Sequence, residues 1–214
     1  RIQQICGQGV YERYGLTETL ICCAVPVAGP HRPGYVGPPV PGVELRLVDD
    51  ERHTVDARDD QTIAEVAVRG PSVFLGYLDR PDATAAVRDE EGWFYTGDLA
   101  TRSDDGAIRI VGRRATDLIK TGGYKVGAGE VEACLLEIPG VAEAAVVGAP
   151  DDDLGERIVA YIVPRPDVAL EESTLIDHVA AELTPHKRPR SVRFVTCLPR
   201  NAMGKVQKRR LGAE

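Results

Sequence analysis

Alternating apolar and polar positions dominate the first half of the chain. In VELRLVDD (residues 43–50), Val43, Leu45 and Leu47 alternate with Glu44 and Arg46, the period of a half-buried strand. IAEVAVRG (63–70) repeats the pattern, and a turn at Gly70-Pro71 is expected to lead into a further extended piece ending near Leu78. PDATAAVRDEEG (81–92) predicts a short helix stopped by Gly92, and GAIRIVGR (106–113) another strand. GPHRPGYVGPPVPG (29–42) holds five prolines and four glycines, so its backbone is expected to be irregular.

After Arg113 the period changes. In AGEVEACLLEIPG (128–140), Val131, Cys134, Leu135 and Ile138 share one helical face, and Pro139-Gly140 ends the helix. VAEAAVVGAP (141–150) and RIVAYIVP (157–164) predict strands. ESTLIDHVAAELTPHK (172–187) predicts a second amphipathic helix through Leu175, Ile176, Val179 and Leu183, closed at Thr184-Pro185. RSVRFVTCLP (190–199) predicts a third strand. The expected architecture is α+β: a β-rich part over residues 1–112, then a small αββαβ unit over 113–214, with the boundary near Gly112–Asp117. No internal repeat is visible.

Composition narrows the function classes. The chain has 214 residues, 43% of them hydrophobic, and a formal net charge of −7. An acidic protein argues against a nucleic-acid binder, so the basic C-terminal tail reads as a local feature. No run of ~18 apolar residues predicts a membrane-spanning helix, and no secretory signal is expected at the start. The opening RIQQICGQGVYERYG, without methionine, reads as the middle of a longer polypeptide. Cys6, Cys22, Cys23, Cys134 and Cys197 form no CxxC pair and have no histidine at ligand spacing. They predict reduced thiols in a cytoplasmic protein, with no zinc site. His31, His53, His178 and His186 show no triad or metal pattern and read as structural.

Four stretches are too polar and glycine-rich for packing alone. YGLTET (14–19) offers hydroxyls and a carboxylate beside a glycine. Such a set can hold a phosphate with Mg²⁺, and equally can cap a helix. In WFYTGDLA (93–100), Asp98 suits a vicinal diol because a carboxylate accepts two hydrogen bonds, and equally suits an ordinary tight turn. GRRATDLIKTGGYKVGAGEVE (112–132) has the composition of a phosphate-cradling loop, but it fits neither a Walker A nor a dinucleotide-binding pattern. PRNAMGKVQKRRL (199–211) places Lys205 behind a glycine among other basic residues.

Together, in this order and spacing, the four resemble the signature stretches of the adenylate-forming superfamily, which contains acyl-CoA synthetases, luciferases and peptide-synthetase adenylation domains. The resemblance covers essentially the whole chain. It is nearest to the malonyl-CoA synthetases, through ERYGLTET, RPDATAA, GRRATDLIKTGGYKVGAGEVE, APDDDLGERIVAYIV and HKRPR. It implies the C-terminal part of that fold: a β-rich remnant of the large AMP-binding domain followed by a small mobile lid. By position, Thr17 would bind the α-phosphate, Glu18 would hold Mg²⁺, and Tyr14 would lie along the adenine, with Gly15 giving room. Asp98 would bind the ribose, assisted by Arg113. Lys205 would bridge the carboxylate and phosphate during adenylation, and Gly122 and Gly123 would flank the channel for the CoA thiol. Arg114 to Thr116 would contain the hinge between the two steps, and Lys120 would approach in the second. Lys187, Arg188 and Arg190 read either as contacts to CoA phosphates or as a solvated basic cluster.

Arg13, at a wall of the acyl pocket that the resemblance defines, suits a second carboxylate on the substrate, and Leu20 and Ile21 line the same pocket. A surface pairing of Arg13 with Glu12 is the alternative. The leading expectation is an AMP-forming ligase that uses ATP, Mg²⁺ and coenzyme A on malonate or methylmalonate. The alternatives are an adenylation domain that loads a carrier protein and a non-catalytic fragment. The last arises because the superfamily's phosphate loop and the N-terminal part of the large domain do not occur in these residues. The 214-residue chain alone is therefore expected to have little ligase activity.

Overall fold

A computed structural model of the protein describes residues 5–7, 9–28, 31–166 and 168–211. Gly29 and Pro30 of the proline-rich stretch, and the opening RIQQ, lie outside the described residues. The chain forms two compact units, divided between Ile110 and Val111.

The first unit contains a hairpin, β1 (Arg13–Leu16) and β2 (Leu20–Ala24), and a sheet of β3 (Glu44–Val48), β4 (Ala64–Arg69), β5 (Phe94–Arg102) and β6 (Ile108–Arg113), in that order, the last strand running on past the division at Ile110. β3, β4 and β5 pair antiparallel. Val66 and Val68 of β4 enter one core with Leu47, Phe94, Ile108, Tyr14 and Cys22. Ala67 faces a second cluster with Val48, Trp93 and Tyr95. Arginines roof that side: Arg46 lies 4.1 Å above the Trp93 ring, and Arg52 lies 4.0 Å above Tyr95. Their apolar stems and flat guanidinium groups cover aromatic surface while the charge stays near water.

Three expectations for this unit need correction. The helix α1 (Pro81–Val87) ends well before Gly92. Arg88 turns extended there, pairs with Phe94 and donates to the Phe74 and Leu75 carbonyls. Residues 71–78 form turns and bends rather than an extended piece. YTGDLA lies inside the nine-residue strand β5 rather than in a tight turn.

The second unit contains β7 (Leu118–Thr121), β8 (Tyr124–Gly127), α2 (Ala128–Leu136), β9 (Val141–Asp151), β10 (Gly155–Pro164), α3 (Glu172–Glu182) and β11 (Ser191–Phe194). The sheet order is β11-β10-β7-β8, with β9 also pairing to β10. β9 and β10 run antiparallel, while β10 and β11 run parallel. β10 reads as a continuous apolar run because both of its faces are covered. Ile158, Ala160 and Ile162 meet the helices, packing with Val131, Leu135, Leu175 and Val179. Val159 and Tyr161 face the other way, where Leu198 and Leu211 of the tail cover them. The glycine-rich stretch supplies β7 and β8, a hairpin that the expected αββαβ order lacked. Among the described residues no helix is long and apolar enough to cross a membrane.

Candidate active site

The sequence-derived residues fall into two sets, one in each unit. In the first unit, YGLTET forms the end of β1 and the turn into β2 rather than a helix cap. Thr19 closes that turn. Its Oγ1 accepts from the Leu16 N–H at 3.1 Å and from the Cys22 thiol at 2.9 Å, and its side chain is wholly buried. With Thr19 turned inward, Thr17 is left exposed and Glu18 half-buried at the tip. The Glu18 carboxylate accepts from the Tyr77 hydroxyl at 2.9 Å, and its carbonyl accepts from Phe74 N–H at 2.7 Å.

Gly15 answers to the hairpin itself. The β1–β2 register shifts between Tyr14 and Gly15, and a Cβ on Gly15 would stand 1.9 Å from the Leu20 carbonyl oxygen. Leu20 and Ile21 are exposed, at 67% and 43%. Arg13 is also exposed, on the face of β1 opposite the buried Tyr14. Its expected alternative partner is committed elsewhere: Glu12 pairs with His31 at 2.7 Å and accepts from the Gly34 N–H.

Asp98 is placed by a β-bulge. The β4–β5 register shifts between Glu65 and Ala67, and Gly97 takes φ +71 inside the strand. Thr96 Oγ1 donates to the Val66 carbonyl at 2.8 Å and accepts from the Asp98 N–H at 3.0 Å, while Gly97 N–H donates to Glu65 at 2.8 Å. A bulge of this kind re-aims one side chain without ending the strand. The carboxylate, 6% exposed, accepts a 2.7 Å hydrogen bond from the Tyr14 hydroxyl. Burial, more than the neighbouring carboxylate, pushes the Tyr14 phenol well above its ordinary value, so it stays a donor. Cys22 and Cys23, on β2 of the same hairpin, are also pushed up by burial, Cys23 to about 12. Burial thus disfavours the thiolate, the nucleophilic form, at both positions.

In the second unit, Gly122 and Gly123 form the two-residue turn of the β7–β8 hairpin, with φ +56 and +82. Both positive angles favour glycine in this turn type. Arg113 ends β6, and its N–H donates to Asp117 Oδ2 at 2.8 Å. Lys205 sits exposed at a tight turn whose feet, Arg200 and Val206, are bridged. Asn201 Oδ1 accepts from the Met203 and Lys205 N–H groups, and Gly204 takes φ +79. Arg200 donates to the Gly204 carbonyl at 2.6 Å and forms an ion pair with Glu143. Lys187 pairs with Glu130 at 2.7 Å, so part of the basic cluster is internally neutralised.

The sequence reading named Thr19 only as one of the YGLTET hydroxyls, not as the group that closes the turn, and it missed Tyr77, Thr96, Asn201 and Lys208. Asn201 was within reach, because Asn three residues before Gly204 is a turn signal. Tyr77 and Thr96 had no such mark, since each acts across the fold.

Among the described residues no group of three His, Cys, Asp or Glu side chains could enclose a metal ion. Glu18 fits Mg²⁺ only as a single oxygen ligand to an ion that arrives with substrate phosphates, which is how Mg²⁺ is commonly held.

Residues 1–78 match the family described as AMP-binding enzyme, and residues 130–205 match the AMP-binding enzyme C-terminal domain. A chain with both matches, and with the fold above, belongs to the adenylate-forming, AMP-binding enzymes. Its relatives include a malonate–CoA ligase of Arabidopsis thaliana, 38% identical over 98% of this chain and 35% of that protein. A probable CoA ligase of Humulus lupulus is 39% identical over 98% of this chain and 36% of that protein. The structure resembles that of ATP-bound MatB from Rhodopseudomonas palustris with a TM-score of 0.87, at 39% identity over 96% of this chain and 40% of that one. The chain thus spans little more than a third of the length of these curated relatives.

Proposed function

We propose that these residues are the C-terminal part of an AMP-forming acid–CoA ligase acting on a short dicarboxylate, malonate or methylmalonate. Residues 1–112 complete a large AMP-binding domain, and residues 113–214 form its small mobile lid. The observation that carries the reading is the 38% identity with a malonate–CoA ligase across 98% of the chain. Asp98 supports it as a buried acceptor whose Tyr14 partner is a fixed donor.

A carboxylate does not acylate a thiol directly, because its leaving group would be oxide. In the first step a substrate carboxylate oxygen attacks the α-phosphorus of ATP, and pyrophosphate departs. Negative charge grows on the phosphoryl oxygens, so a fixed cation lowers the barrier. Lys205 is that cation. The Thr17 hydroxyl donates to the α-phosphate, and Asp98 accepts from the ribose hydroxyls with Arg113 beside them. Tyr14 and Gly15 border the adenine, and Glu18 supplies one oxygen to the nucleotide's Mg²⁺. When bound, Mg²⁺ offsets phosphate charge. In the second step the CoA thiolate attacks the acyl carbon and AMP leaves, the thiol entering past Gly122 and Gly123. Arg13 pairs with the second substrate carboxylate, beside Leu20 and Ile21. The compartment expected for this chemistry, with free thiols, is the cytoplasm.

The test is malonate-dependent exchange of labelled pyrophosphate into ATP by the natural polypeptide that carries these residues. Exchange is expected, with Lys205→Ala lowering it by about two orders of magnitude or more. No exchange with malonate or methylmalonate, or full exchange by the alanine variant, refutes the reading. Thioester formation on a carrier protein but not on free CoA would instead identify the carrier-loading alternative.

A further inference from the structure

Lys208 differs from its basic neighbours in the tail. Arg209 and Arg210 are exposed, whereas the Lys208 side chain keeps only 15% of its exposure. Its Nζ lies 2.5 Å from Asp117 Oδ1 and 2.6 Å from Glu132 Oε1. Both carboxylates are tied to backbone as well. Asp117 Oδ2 accepts from the Arg113 N–H at 2.8 Å, and Glu132 Oε1 accepts from the Val146 N–H at 2.7 Å. One ammonium therefore joins the tail to the turn after β6, to helix α2 and to strand β9.

A short path leads from this junction to Lys205. Gln207 N–H donates to the Pro199 carbonyl at 2.7 Å, and Val206 bridges Arg200. Lys208 thus follows directly on the two residues that close the foot of the Lys205 turn. Arg200 and Glu143 hold the other side. The two carboxylates, each 19% exposed, need the cation between them: without it, two poorly solvated like charges face each other. Loss of the ammonium therefore favours opening of the tail rather than quiet relaxation.

We propose that Lys208 is a positioning residue, clamping the tail to Asp117 and Glu132 and so fixing where the 200–206 turn presents Lys205. This rests on the ligase reading only for what Lys205 does once placed. A lysine serving general stability alone would, when removed, weaken the whole second unit evenly.

The test pairs amide hydrogen exchange with pyrophosphate exchange in the natural polypeptide carrying Lys208→Met or Lys208→Arg. In the methionine variant, amides of residues 200–207 are expected to exchange about tenfold faster or more, with those of β10 unchanged. Its kcat for pyrophosphate exchange is expected to fall by at least about tenfold with little change in the KM for the acid, and arginine is expected to restore most of both. Unchanged protection of 200–207, or an equal loss across the second unit, overturns the clamp. So does a normal kcat in an otherwise active enzyme. If the unsubstituted protein exchanges no pyrophosphate, the ligase reading fails while amide protection still decides the clamp. Should the methionine variant not fold, Asp117→Asn makes the same comparison with the lysine in place.

Discussion

Replacing Tyr14 by phenylalanine removes one oxygen and leaves the ring to fill the same space. What is lost is the 2.7 Å donation to Asp98. Tyr14 and Asp98 are 8% and 6% exposed, so water does not simply replace the hydroxyl. A hydrogen bond to a charged group contributes about 1.5–3 kcal/mol, and a buried acceptor left short of a donor sits within that range. The expected loss is about 2 kcal/mol. With a urea m-value near ~2 kcal/mol/M, the midpoint falls by about 1 M.

The assay is urea unfolding followed by the fluorescence of Trp93, the only tryptophan in the sequence. Trp93 lies in the first unit, 6% exposed, so its signal reports the unit that carries the substitution. The pH dependence gives a second reading. The Tyr14 phenol is raised in the folded state, chiefly by burial. Its contribution is complete below its unfolded value, near 10.0, and falls as pH rises, because the unfolded chain releases the proton first. The gap between wild type and Tyr14→Phe should therefore narrow above pH ~10 by up to about 1.4 kcal/mol per pH unit. Equal midpoints at neutral pH would refute the role given to this pair, as would a gap that widens above pH ~10.

Two further outcomes follow from the same hairpin. Cys23 is wholly buried and its thiol is raised by burial from 9.0 to about 12, so its stabilising effect is complete below pH 9.0 and is lost as pH climbs from there toward about 12. In reducing buffer, Cys23→Ala should cost about 1 kcal/mol at neutral pH and make the alkaline decline shallower by about one proton's slope; an unchanged slope would contradict the burial argument. Arg13→Leu should lower kcat/KM for malonate by about tenfold or more while sparing a monocarboxylate of similar size; equal losses on both acids would show that Arg13 does not read the second carboxylate.

The long periodic segments were legible. Val131, Cys134 and Leu135 on α2, and Leu175 and Val179 on α3, are buried as their spacing required. The hairpins were not. β1 and β2 are four and five residues long, and their turn is closed by a buried Thr19 hydroxyl rather than by an Asn-Gly pair. The β7–β8 turn did carry a readable signal, Gly122-Gly123 between two apolar pieces, but lysines and further glycines around it gave the segment the composition of a loop. Asp98 followed a Thr-Gly that reads as a turn, and only the partner strand shows it to be a bulge. The Lys208–Asp117 contact spans 91 residues, a separation over which no local pattern operates.

Lys205 poses the sharpest energetic question of the candidate site. In the adenylation role proposed for Lys205, a lysine on a free tail would lose about 2 kcal/mol of side-chain rotamer freedom, and about 1–2 kcal/mol of backbone freedom per residue fixed, each time it met the transition state. The fold meets most of the backbone part in advance. Leu198 and Leu211 bury their side chains against Val159 and Tyr161, bracketing the lysine on both sides in sequence. Tyr161 donates to the Leu211 carbonyl, and Asn201, Arg200 and Lys208 hold the turn between these anchors. Only the four-carbon side chain of Lys205 is left to be ordered. Exposure of its ammonium on so constrained a backbone distinguishes it from Lys208, whose charge is already satisfied, and from Arg209 and Arg210, which follow in the 3₁₀ turn that closes the tail. A tail serving only solubility would need none of these restraints, because solvation asks for charge and not for a fixed position.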